Sequence, residues 1–236
     1  MPAYAASIFD MDGLLVDSEI LWHRAELEIL VPLGAPIDPD ATRATKGMFV
    51  REVVDHYHGL APWDAPSIGE VVDLVLDRVG ELVDDVGRLL PGATRALSLC
   101  ASLGPIALAS STPRRLIDRT LRHFGLDESF EVIHSAEDEP FGKPHPGVFL
   151  TTAATLGIAP RACLVFEDSA AGVVAAAAAG MGCVAVPAAD ERAHAAFDSA
   201  TLVLDSLADL DASWLTTRFE PTAVAGRAGN ERPGPQ

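Results

Sequence analysis

Cysteine, lysine and long apolar runs are all scarce in this 236-residue chain, and each scarcity excludes something. The three cysteines, Cys100, Cys163 and Cys183, are odd in number and widely spaced. Neither a disulfide framework nor a zinc-type cluster follows from them, and they read as small buried hydrophobes. No apolar run approaches the ~18 residues that cross a bilayer. The opening MPAYAASIFDMDG has no basic segment ahead of an apolar one, so a reducing, cytoplasmic location is expected. Positive charge is short too. A net charge of −17 repels nucleic acid and anionic membranes, which excludes both as expected partners. Only Lys46 and Lys143 are lysines among seventeen basic residues. Where arginine is so favoured, a lysine marks a place that needs a compact ammonium rather than a planar fork. Nothing points to self-association, and a monomer is the default.

What the chain does have is enough length and apolar content, 49%, for a sizeable buried core. Short, nearly continuous apolar runs occur at Ala5–Phe9, Ile106–Ala109, Cys163–Phe166, Cys183–Val186 and Leu202–Leu204. Such runs suit strands buried on both faces of a parallel sheet. Helical stretches alternate with them at Thr94–Ser102, Pro113–Phe124 and Ala170–Ala179, the last two stopped by Gly125 and Gly180. This alternation predicts a doubly wound, Rossmann-like α/β parallel sheet. Between Ser18 and Leu89 no strand is legible. Helical periodicity is, with Ile20–Val31, Val50–His58 and a run after Ser67 that opens on a capping box with Glu70. The expected organisation is an α/β core from 1–17 and 90–215, a small helical domain inserted at 18–89, and a Gly/Pro-rich disordered tail at 216–236.

Four clusters of reactive residues fall at strand ends. Asp10 and Asp12 follow the first strand in FDMDGLLVDS, at the edge where open α/β sheets bind ligands. A spacing of two sets both carboxylates on one side of an extended chain, and their repulsion calls for a proton or a cation. An acidic turn would read the same way. Ser110 and Ser111 close the second strand ahead of Thr112 and Pro113, which is either ordinary helix capping or an anion cradle at a helix N-terminus. Lys143 lies in FGKPHP, where Pro144 and Pro146 stiffen the chain; a solvated surface charge would fit equally. Glu167 and Asp168 end another apolar run. Four carboxylates converging on one edge require a metal, and hard oxygen ligands select Mg²⁺. Together these parts suit phosphoryl transfer, which depends on positioning and charge neutralisation.

With those residues in place, the chain resembles the haloacid dehalogenase superfamily. Asp-Met-Asp-Gly at 10–13 matches its first motif, Ser110 its second, Lys143-Pro144 its third and Glu167-Asp168 its fourth. The resemblance spans nearly all of residues 5–210. The helical insertion is similar to that of members with a small α-helical cap, which include beta-phosphoglucomutase and sugar-phosphate phosphatases. The strings DMDGLLVDSE, ALASSTP, GKPHP and FEDSAAG are similar to those of bacterial phosphatases of 2-deoxyglucose 6-phosphate and hexitol phosphates. The resemblance implies Mg²⁺-dependent hydrolysis of a small phosphate ester through a phosphorylated Asp10. It implies Asp12 as the acid and base, and Asp10, the Asp12 backbone carbonyl and Asp168 around Mg²⁺, supported by Glu167. It also implies Ser110, the Ser111 amide and Lys143 around the phosphoryl group. Trp22, Lys46 and Arg51 are the expected substrate contacts of the insertion.

The main alternative is a sugar-phosphate mutase. Mutases resembling beta-phosphoglucomutase carry a histidine where this chain has Trp22, and a Lys-Gly-x-x-Arg loop. Here that loop is out of step, because Arg51 follows Lys46-Gly47 one residue late. A dehalogenase has no evident use for Asp12. A non-catalytic binding protein on the same fold has no feature in its favour, since every motif residue is intact.

Overall fold

The computed structural model describes residues 4–38 and 48–219. Six strands, β1 (Ala6–Phe9), β2 (Ile106–Ser110), β3 (Val132–Ser135), β4 (Cys163–Glu167), β5 (Gly182–Ala185) and β6 (Leu202–Val203), form one parallel sheet. Their order is β3-β2-β1-β4-β5-β6. The helices are α1 (Glu19–Leu30), α2 (Val50–Leu60), α3 (Ile68–Val86), α4 (Ala93–Ala101), α5 (Arg114–His123), α6 (Gly147–Leu156), α7 (Ala170–Ala178) and α8 (Ala212–Thr216).

Every residue of β1, β2 and β4 is buried, because both faces of the sheet are covered. Alternate side chains go to opposite faces. Phe9, Leu108 and Phe166 meet Ala96 and Leu97 of α4 and Ile117 and Leu121 of α5. Ile8, Ala107 and Val165 meet Val148 and Phe149 of α6 and Val173 and Ala176 of α7. Phe9 and Phe166 stack across neighbouring strands, with ring centroids 4.4 Å apart and planes 7° from parallel. The expected doubly wound fold is what forms. β1 sits where the strand order reverses, with β2 on one side and β4 on the other, and such a point opens a crevice at the carboxyl edge.

α1, α2 and α3 stand apart from the sheet and pack on one another. Leu21 and Ala25 of α1 meet Val75, Val79 and Leu82 of α3, and Val53, Val54 and Tyr57 of α2 meet Leu30 and Val71. The capping box holds: the Glu70 carboxylate accepts from the Ser67 N–H at 2.8 Å. Leu116 of α5 joins the α1–α3 cluster, and this apolar contact seats the insertion on the sheet domain. Arg115 pairs with Asp73 and Asp77, and Arg119 with Asp84, along the same seam. Those pairs are exposed and each contributes little, on the order of 0–1 kcal/mol. The chain leaves and re-enters the sheet domain side by side, with the Asp17 N–H on the Arg88 carbonyl at 2.9 Å and the Leu90 N–H on Leu15 at 2.8 Å.

Two elements and one boundary differ from the sequence reading. β3 and α6 were not legible in the sequence, though both exist. The folded core also continues beyond residue 215. Phe219 is buried, bridges Tyr4, and packs its ring 6.0 Å from that of Tyr4. Residues 220–236 of the expected tail lie outside the described residues. Among the described residues no helix is long and apolar enough to cross a membrane.

The packing of α3 makes a paired prediction. Leu82 is 1% exposed and Leu74 is 45% exposed on the same helix. Leu82→Ala should lower the unfolding free energy by about 2–5 kcal/mol. Leu74→Ala should shift it by less than about 0.5 kcal/mol. Urea titration of both variants reads the difference, and equal effects would mean that α3 does not present this face.

Candidate active site

Asp10 follows directly on β1, and its N–H donates to the Phe166 carbonyl of β4 at 3.0 Å. The sheet ladder therefore runs up to the residue itself and fixes its backbone. Gly13 turns the chain back with φ +74°, and a Cβ there would run into the Asp168 carboxylate. Only glycine allows both the turn and that approach. Gly172, in the first turn of α7, gives Glu167 the same clearance. These positions bring carboxylate oxygens of Asp10, Glu167 and Asp168, all buried, within 4.8 Å of one another.

Lys143 reaches into this cluster from the loop ahead of α6. Its Nζ donates to Asp10 Oδ1 and Glu167 Oε1, both at 2.6 Å, and to the Ala109 carbonyl at 3.3 Å. The ring of Phe149 lies 4.9 Å away. The other oxygen of Glu167 accepts from the Ser169 N–H and hydroxyl, each at 2.9 Å. Burial pushes the Asp10 carboxyl up to about 7, against the pull of Lys143 and with the help of Glu167 and Asp12. Burial would also push the Lys143 ammonium down, but Asp10 and Glu167 outweigh it and hold the ammonium above its usual range. Three carboxylates against one ammonium leave two negative charges uncompensated, which is the charge of one divalent cation. The donor set is all oxygen, as a hard cation requires. The residues therefore fit such an ion.

Asp12 is held differently. Its Oδ1 accepts from the Ser18 hydroxyl at 2.6 Å and the Trp22 indole N–H at 3.0 Å, and its Oδ2 from the Thr112 hydroxyl at 2.6 Å. Its carboxylate is not part of the acid cluster, so only its backbone carbonyl is left for a metal role. The use of Thr112 corrects the expectation of helix capping. α5 starts at Arg114, whose N–H is met by the Glu137 carboxylate at 2.9 Å, and the Thr112 hydroxyl is free to serve Asp12. The Thr112 N–H bonds Ser110 Oγ at 3.1 Å, and the Ser135 hydroxyl at the end of β3 fixes the Thr112 carbonyl at 2.7 Å.

These groups line a cavity of about 330 Å³ between the sheet edge and the helical insertion. Asp10, Asp12, Ser110, Ser111, Lys143, Glu167 and Asp168 are all among its lining residues, together with Trp22 of α1. Arg51 is not among its lining residues. It lies on the exposed face of α2, paired with Asp55 at 3.0 Å. Lys46 lies outside the described residues. Sequence reasoning missed Ser18, Ser169 and Glu26, a buried acid of α1 on the cavity wall. The string DSE after the first motif held a signal for Ser18, but its partner shows only once α1 is placed.

Residues 4–180 match the family model described as haloacid dehalogenase-like hydrolase. Hexitol phosphatase B of Escherichia coli (strain K12) is 42% identical over 213 residues, covering 88% of this chain and 94% of that protein. Among solved structures, CbbY from Rhodobacter sphaeroides in complex with phosphate aligns with a TM-score of 0.79 at 28% identity, over 88% of this chain and 96% of that one. Beta-phosphoglucomutase from Clostridium difficile aligns with a TM-score of 0.78 at 26% identity, over 91% and 96%. Motif order, sheet topology and these likenesses agree, and the chain belongs to the haloacid dehalogenase-like hydrolase family.

Proposed function

We propose that this chain hydrolyses a small phosphate monoester, a hexose or hexitol phosphate, through an aspartyl phosphate on Asp10. The observation that carries this reading is the placing of Asp10 at the end of β1, bonded to Lys143 and grouped with Glu167 and Asp168. The 42% identity to hexitol phosphatase B supports the substrate class. Asp10 attacks phosphorus as the bond to the leaving oxygen breaks, and Asp12 gives that oxygen its proton, releasing an alcohol. Water then attacks the phosphorus of the aspartyl phosphate while Asp12 takes the water's proton. The bond to Asp10 breaks, inorganic phosphate leaves, Asp10 is a carboxylate again and Asp12 again carries its proton. Ser110, the Ser111 amide and Lys143 hold the phosphoryl oxygens throughout. Mg²⁺ held by Asp10, Asp168 and the Asp12 carbonyl, with Glu167 behind them, would supply neutralising charge where the dianion binds.

In this reading α1, α2 and α3 act as a cap over the cavity, which Trp22 of α1 lines. The likeness to beta-phosphoglucomutase is the observation in favour of a mutase. Against it, the indole of Trp22 is bonded to Asp12 at the place where the mutases' histidine is expected.

Phosphate release from 2-deoxyglucose 6-phosphate, sorbitol 6-phosphate and beta-glucose 1-phosphate tests the proposal directly. Release that needs Mg²⁺ and stops with chelator is the expected result. Conversion of beta-glucose 1-phosphate to the 6-phosphate without release would establish the mutase instead. Asp10→Asn should reduce turnover to background and prevent acid-stable labelling of the protein by substrate phosphate; full turnover in that variant would rule the mechanism out. Lys143→Met should lower kcat by roughly 10²–10³-fold, since it removes charge aimed at the transferring group. A change confined to KM would assign Lys143 to ground-state binding alone.

A further inference from the structure

The three groups that hold Asp12 are not equivalent. The hydroxyls of Ser18 and Thr112 can rotate and accept a hydrogen bond instead of donating one, whereas an indole N–H can only donate. Trp22 Nε1 stands 3.0 Å from Asp12 Oδ1. That oxygen must therefore remain an acceptor whether or not the acid carries its proton, and because Ser18 also donates to it, Oδ2 is the better place for the proton of neutral Asp12. Oδ2 is the oxygen that Thr112 meets at 2.6 Å, and Thr112 is tied through its N–H to Ser110, on the loop that receives the phosphoryl group in the proposed reaction.

We propose that Trp22 is the positioning residue of the general acid: its indole fixes the Asp12 carboxyl so that the proton sits on the oxygen facing residues 110–112. The inference rests on the reading of Asp12 as acid. It also gives Trp22 a task other than the substrate contact expected from the sequence. In the step it governs, the bond between phosphorus and the leaving oxygen breaks as the proton on Asp12 Oδ2 moves to that oxygen. The products are a neutral alcohol and the Asp12 carboxylate, and Trp22 itself loses and gains nothing. Without the indole N–H, either oxygen of Asp12 could carry the proton, and the carboxyl could turn it away from the ester.

The chemistry offers a readout that damage to the fold would not imitate. An alkoxide is a poor leaving group and needs the proton, whereas nitrophenolate leaves without it. The test is kcat/KM for a series of phosphate esters running from sorbitol 6-phosphate to p-nitrophenyl phosphate. The proteins are wild type, Trp22→Phe, the protein with benzothienylalanine at position 22, and Asp12→Ala. Benzothienylalanine keeps the bicyclic ring and lacks only the N–H. Both position-22 variants should lose about tenfold or more on the alkyl ester relative to the aryl ester, a part of the 10²–10⁴-fold that a general acid contributes. Asp12→Ala should show the same selectivity more strongly. A loss of one size across the whole series in the position-22 variants, with Asp12→Ala still selective, would overturn the role of Trp22 alone. A uniform loss in Asp12→Ala would remove Asp12 as the acid, and the inference with it. No hydrolysis of any ester by the wild-type protein would overturn the proposed function itself.

Discussion

The ammonium of Lys143, shared between Asp10 and Glu167, is the interaction on which the rest of the site depends. Burying an unpaired carboxylate costs several kcal/mol even after relaxation, and here three are buried together. The sheet cannot avoid this. Its strand order brings the ends of β1 and β4 side by side, and both ends are acidic. One planar guanidinium would bind one carboxylate well, through a fork. A compact ammonium has donors in three directions, and Lys143 uses them on Asp10, Glu167 and the Ala109 carbonyl. The pairing is incomplete by design of charge, since one cation faces three acids, and the remainder suits a divalent ion.

That demand explains parts of the fold that have no other evident purpose. Lys143 can serve only if the loop between β3 and α6 is held still. His134 of β3 bonds Glu139 at 2.8 Å where the loop begins, and the His145 ring receives the Gly147 N–H at 3.2 Å where it ends. Phe149, buried on the first turn of α6, lies beneath the ammonium. Phe49 of the insertion rests against Gly142, where a Cβ would collide with its ring. The loop is thus fixed from the sheet, from the helix behind it and from the insertion in front.

The sequence made some of this legible and concealed the rest for physical reasons. Strands buried on both faces announce themselves as apolar runs, so β1, β2, β4 and β5 were readable. β3 is half-buried at the edge of the sheet and includes His134, so its four residues carry no such run. α6 begins at Gly147, directly after a stretch of proline and glycine that reads as loop. Asp10, Asp12, Ser110, Glu167 and Asp168 were found because each ends or follows a readable strand, whereas Lys143, beyond β3, was found through the scarcity of lysine. Local grammar misassigned Thr112: a threonine before a proline and a helix looks like a cap. Its hydroxyl instead meets Asp12, a hundred residues earlier in the chain. Trp22 was noticed as a departure from a mutase pattern, yet its partner depends on the direction in which α1 leaves the turn. Arg51 was expected to contact substrate but pairs with Asp55 outside the cavity lining, because sequence position alone does not determine which face of a helix a residue takes.

The hydrogen bonds of Asp12 link the insertion to the chemistry. Trp22 lies one turn into α1, and α1 belongs to the insertion, whereas Thr112 belongs to the sheet domain. The two segments that join these parts are paired through Asp17–Arg88 and Leu15–Leu90, a short double connection. A movement that lifted α1 from the sheet edge would break the bond from Trp22, whose indole N–H is fixed to its ring and cannot turn to follow Asp12. Asp12 is then held only by hydroxyls that tolerate either orientation. On the proposed role of Trp22, the acid is aimed by a residue of the insertion, and the same insertion lines the cavity. In the proposed mechanism, proton delivery and exclusion of bulk water would then be set together, and Asp10 would be phosphorylated only where solvent is already limited.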